Sequence, residues 1–133
     1  MLIYAAAAGH PLGARVAELF AGAPGTTVGT GSVLLLAEVL AKPLREDPAS
    51  AETTALVSLL SRLELHPLDG ATGRLALALA VAYGLRAADA AHLASAVAAG
   101  ADRFVTNNRK DFPRTIAEIE VVYPDDLPGP QQP

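Results

Sequence analysis

The stretch from Arg86 to Phe112, RAADAAHLASAVAAGADRFVTNNRKDF, constrains the fold more than any other part of the chain. Ala, Leu and Val recur at helix-compatible spacing from Ala87 to Ala99. Gly100 can take the left-handed conformation that ends a helix, and Phe104-Val105 begins a short buried strand. Helix, stop, strand and polar loop follow in that order. Asp89 then falls in the first turn of the helix. Thr106-Asn107-Asn108-Arg109-Lys110-Asp111 forms a polar loop at the carboxyl end of the strand, where open α/β sheets build their sites. Two carboxylates, Asp89 and Asp111, can therefore face one cleft.

The remaining segments read as alternating elements. Met1 to Ala8 is apolar and reads as a fragment of a helix or signal segment, but it has no basic lead-in, which speaks against secretion. Pro11 opens a helix that ends near Ala21-Gly22. Thr26-Thr27-Val28-Gly29-Thr30 is a short β-branched strand, and Ser32 caps a helix running to about Ala41 that Pro43 stops. On that helix Leu34, Leu35, Val39 and Leu40 crowd the inward side, with a lone acid at Glu38. Ser50 caps a helix over Ala51 to Leu63, and Glu64 to Leu68 is an edge strand limited by Pro67. Asp69 opens a long helix over Ala71 to Tyr83 that Gly84 ends. Ile119 to Tyr123 is the last strand, ahead of a proline-rich tail over 124–133. Parallel strands need long crossovers, so this alternation predicts an α/β fold: a three-layer α/β/α arrangement around a parallel sheet, in one domain over residues 1–123.

Composition narrows the function. At 133 residues the chain is large enough to bury a core without staples, and 5% aromatic content leaves Ala, Leu and Val to fill it. The absence of Cys excludes disulfides and thiolate metal sites and fits a reducing cytoplasm. The longest apolar run, Leu75 to Leu85, falls well short of the ~20 residues that span a bilayer, so no membrane segment is expected. A net charge of -4 argues against general coating of nucleic acid. Local grip on RNA is compatible with it, because Arg86, Arg103, Arg109, Lys110 and Arg114 crowd one third of the chain.

Three segments together resemble the PIN-domain nucleases, and within them the VapC-like toxins of bacterial toxin–antitoxin pairs. They are Leu36-Ala37-Glu38-Val39-Leu40 with Lys42-Pro43-Leu44; Leu85-Arg86-Ala87-Ala88-Asp89-Ala90-Ala91-His92-Leu93-Ala94; and Gly100-Ala101-Asp102 leading into Thr106-Asn107-Asn108 and Asp111-Phe112. The resemblance implies a PIN-like fold and an acidic cluster that binds Mg²⁺ or Mn²⁺ and hydrolyses RNA, with Glu38, Asp89 and Asp111 as members. It also implies a strand ending in a first Asp before an apolar helix start like Leu2-Ile3-Tyr4-Ala5. Met1 stands just after that place, so an N-terminally truncated fold with impaired activity is expected. An antitoxin protein and a homodimer are the partners the resemblance implies. A catalytically inactive PIN-like protein-binding module is the alternative.

The chemistry of these residues agrees with the resemblance. Carboxylates from three parts of the chain repel one another unless a cation compensates, and oxygen-only ligands select a hard divalent ion. Such an ion polarises a phosphodiester and lowers the pKa of water. Thr106, Asn107 and Asn108 can orient that water or a phosphate, and Arg109 or Lys110 can hold the RNA backbone.

Overall fold

The computed structural model describes residues 29–106, 108–123 and Asp126. Within them the order is β1 (Gly29–Ser32), α1 (Leu35–Glu46), α2 (Ala51–Ser61), β2 (Leu63–His66), α3 (Gly70–Tyr83), α4 (Ala87–Ala98), β3 (Arg103–Val105) and β4 (Glu120–Val122). The fold is α/β, as the alternation predicts. The segments expected over residues 1–28 and the proline-rich tail lie outside the described residues, apart from Asp126. The chain divides into two compact units, one holding Leu35–Glu64 and the other Thr30–Leu34 with Leu65–Tyr123.

In the first unit, Leu56 and Leu60 of α2 are buried, and Leu35, Val39 and Leu40 of α1 pack against them. The apolar spacing read from the sequence thus faces a partner helix. The start of α2 is a serine cap: Ser50 Oγ accepts from Thr53 N at 3.1 Å. The buried Thr53 hydroxyl meets Ser50 Oγ at 2.8 Å and donates to the Asp47 carbonyl at 2.9 Å. These bonds satisfy groups that the helix start would otherwise leave open.

Two local expectations are corrected here. Ser32 belongs to β1, and its Oγ accepts from Leu34 N at 3.1 Å, so it closes a turn one step before the helix begins at Leu35. Pro43 does not stop α1, which continues to Glu46. Proline forfeits the bond its own N–H would have made and crowds the carbonyl four residues back, whereas its own carbonyl still accepts, here from Asp47 N at 2.9 Å. Pro67 does bound its strand, because β2 ends at His66.

The second unit carries the larger core. Leu79 of α3 and Ala90, Leu93 and Ala94 of α4 pack with Phe112, Ile116, Ile119, Val121 and Tyr123. Gly84 closes α3 in the left-handed region at φ 66°. Gly100, at φ 75°, closes α4 in a Schellman arrangement: Gly100 N donates to Val97 O and Ala101 N to Ala96 O, both at 3.1 Å. The chain then enters β3, which pairs in parallel with β4 in the register Arg103↔Glu120, Phe104↔Val121 and Val105↔Val122. Thr106 N extends the ladder to Val122 O at 3.0 Å.

Asp69 is the cap of α3, its carboxylate accepting from Thr72 N at 2.8 Å. The Thr72 backbone N–H first, then the Thr72 hydroxyl and the charge of Arg74, hold the Asp69 carboxyl below its ordinary range. A depressed folded-state pKa contributes stability above the unfolded value and loses it as pH falls through the folded value. Asp69→Ala should therefore lower the melting temperature at pH 7, and the gap to the parent protein should narrow as pH falls below about 4. Thermal melts followed by circular dichroism measure both.

Candidate active site

Asp89 lies in the first turn of α4 and is half-buried. No side chain from the Arg86 cap position hydrogen-bonds that helix start. A carboxylate there is favoured by the open N–H groups of the first turn. The short link of residues 99–102 reverses the chain from α4 into β3, and the two elements pack together. The start of α4 and the carboxyl end of β3 are therefore directed to the same end of this unit. Asp89 and the loop after Val105 share that end.

The loop is held by its own side chains. The buried Thr106 hydroxyl accepts from Asn108 N at 3.1 Å. Asn108 Nδ2 donates to Asp111 Oδ2 at 2.8 Å, and Asp111 N donates back to Asn108 Oδ1 at 3.2 Å. A backbone bond from Phe112 N to Asn108 O at 3.0 Å closes the same turn. Phe112 is buried and tilts against Phe104 with ring centroids 4.9 Å apart. The aromatic anchor after Asp111 thus ties a polar loop to the core. Thr106, Asn108 and Asp111 are joined by bonds local to this loop, whereas Asn107 lies outside the described residues.

The cations of the loop are exposed. Arg109 stacks its guanidinium on the Tyr123 ring, with Cζ 4.5 Å from the centroid, and Lys110 is its exposed neighbour. Arg114 stacks on the same ring at 4.4 Å. Sequence reasoning grouped both arginines with a basic stretch and left Tyr123 as the end of a strand. The available signal was a Tyr closing a β-branched strand in a chain with only 3 Tyr.

Glu38 is the third acid that the sequence singles out. It is exposed in the first turn of α1, in the first unit, while Asp89 and Asp111 belong to the second. It lines a cavity of about 430 Å³ with Lys42, Glu46, Asp47, Ser50 and Glu52 among others. Four carboxylates against one ammonium make that cavity repulsive to phosphate and attractive to cations. Among the described residues no group of three or more His, Asp or Glu side chains is gathered closely enough to hold a metal ion. The donor chemistry of Glu38, Asp89 and Asp111, all oxygen, is nevertheless that of a hard divalent ion.

The family model for the PIN domain matches residues 1–117. The chain belongs to the PIN domain family. No curated protein and no solved structure matches it significantly. PIN domains are in general nucleases that act on RNA or DNA, commonly with divalent metals. The match takes in Glu38, Asp89, Asp111 and the polar stretch Thr106 to Asp111, and it ends ahead of β4 and Tyr123. Among the described residues, no helix of this PIN domain is long and apolar enough to cross a membrane.

The pairing of Asn108 with Asp111 has a measurable consequence. Asn108→Ala removes both side-chain bonds to Asp111 but keeps the backbone acceptor of Phe112 N. Hydrogen exchange followed by NMR should show the Asp111 amide exchanging faster and the Phe112 amide little changed.

Proposed function

We propose that this PIN domain is a metal-dependent endoribonuclease that hydrolyses RNA phosphodiester bonds, the VapC-like toxin of a toxin–antitoxin pair acting in the cytoplasm. What supports the reading is the PIN-domain match over residues 1–117, which takes in Asp89 in the first turn of α4 and Asp111 in the polar, cationic loop after β3. Glu38, Asp89 and Asp111 are the residues that would hold Mg²⁺ or Mn²⁺. When bound, the ion polarises the scissile phosphodiester and lowers the pKa of water.

The rest of the work belongs to the chain's own side chains. Asn108 fixes the Asp111 carboxylate through Oδ2, and Oδ1 is the atom that would meet a ligand. The hydroxyl of Thr106 and the amides of Asn107 and Asn108 position the attacking water or a phosphate oxygen. Arg109 and Lys110, both exposed, take the phosphate backbone in charge-assisted hydrogen bonds. Asp89 serves as the second acid, its charge favoured by the α4 start before any ion arrives.

Asp89→Asn, Asp111→Asn and Glu38→Gln should each lower RNA cleavage at least about 100-fold in gel assays with Mn²⁺ or Mg²⁺. The two aspartate variants should also weaken Mn²⁺ binding in calorimetry. Cleavage that survives a chelator, or that all three variants retain, would overturn the assignment in favour of a PIN-like protein-binding module.

We further infer a homodimer, with an antitoxin protein as the second partner. Leu77 and Val81, one turn apart on α3, are 66% and 78% exposed, and an apolar pair of that kind favours contact with another chain. A two-fold pair is the commonest closed assembly. Light scattering should give twice the 13.6 kDa chain mass, and a value near one chain would refute the dimer.

A further inference from the structure

The parallel register of β3 and β4 brings the carboxyl ends of the two strands side by side, so Tyr123, which follows β4, arrives next to the loop that follows β3. Tyr123 is buried, and its hydroxyl donates to the Phe112 carbonyl at 2.8 Å. That bond fixes the ring relative to the residue that immediately follows Asp111. Arg109 and Arg114 both rest on this ring, at 4.5 and 4.4 Å, and both are exposed. Their guanidiniums are thus held within about twice 4.5 Å of one another. Long side chains normally lose several rotors when they grip a ligand, whereas stacking on a fixed ring removes much of that loss beforehand.

We propose that Arg109, Arg114 and Tyr123 form a preorganised phosphate clamp that holds single-stranded RNA beside Asp111. The inference rests on the ribonuclease reading above and adds to it the element that positions substrate. Tyr123 is a positioning residue: it acts through the two arginines, and its buried ring is not offered to a base. The guanidinium edges, planar and rich in donors, match phosphate oxygens bidentately while their faces stay on the ring. The local balance of charge supports this ligand in a chain of net charge -4: Arg103, Arg109, Lys110 and Arg114 lie within residues 103–114, against Asp111 alone.

The test uses the full chain and a fluorescein-labelled single-stranded RNA, with a chelator present so that the RNA is bound and not cut. Fluorescence anisotropy is read across a salt series. Replacing both arginines (R109Q with R114Q) should weaken binding roughly tenfold or more at low salt and reduce the slope of log affinity against log salt by about 1.4, the loss of two single-strand phosphate contacts. The lysine pair (R109K with R114K) should keep the parent slope but bind less tightly, because an ammonium neither forks nor stacks in the same way. Arg45→Gln, an exposed arginine of the other unit, should change neither quantity. Melting temperatures of all variants separate lost contacts from lost fold. Parent-like affinity and slope in the glutamine pair would overturn the clamp and leave the nuclease reading standing. So would a lysine pair that binds as tightly as the parent, or an equal loss from Arg45→Gln. Failure of the parent chain both to bind and, with metal, to cleave RNA would overturn the clamp and the nuclease reading together.

Discussion

Parallel pairing of two three-residue strands governs what the second unit can present. Because β3 and β4 run the same way, the chain must travel back from the end of one to the start of the other, and the described residues between Thr106 and Ile119 form no helix. A crossover of this length is ordinarily covered by a helix. Here it is tied down by buried side chains: Phe112, Ile116 and Ile119 enter the core. The Tyr83 hydroxyl donates to Glu118 and accepts from Ala117 N. Without those anchors the polar loop would have no fixed floor, and Asp111 would have no defined address.

The same topology explains why acid and base coexist in so small a region. Asp111 and Arg109 are two residues apart, yet each is directed by a different partner. The carboxylate is held by Asn108, and the guanidinium is drawn onto Tyr123. The two groups thus have separate supports in one short loop, an amide for the carboxylate and an aromatic ring for the guanidinium.

Helix ends do comparable work on Asp89. Alanine dominates α4, and four of its alanines are buried, so the helix packs closely against α3 and β3 with little side-chain bulk. Close packing leaves a first turn whose placement is set by the core and not by a cap, since Arg86 supplies none. Gly100 at the other end permits the reversal into β3, because a left-handed residue at that point suits glycine alone among the common choices. A Cβ at Gly100 would meet no neighbour within 4 Å, so the constraint is conformational and not steric crowding.

Much of this was legible in the residues themselves. The α4–Gly100–β3–loop succession, the Ser50 and Asp69 caps and the Gly84 stop all follow from local rules, because each depends on groups within a few positions of one another. Periodicity also put Leu34, Leu35, Val39 and Leu40 on an inward side, of which Leu35, Val39 and Leu40 meet α2 while Leu34 precedes the helix. What local rules could not decide was anything requiring a partner distant in the chain. Pro43 stays inside a helix whose apolar side packs on α2, and Ser32 serves a turn because pairing with β2 claims its backbone for a strand. Tyr123 becomes a platform for two arginines only once β3 and β4 pair in parallel, for the register that brings residues 109, 114 and 123 together is a property of the sheet, not of any segment of sequence.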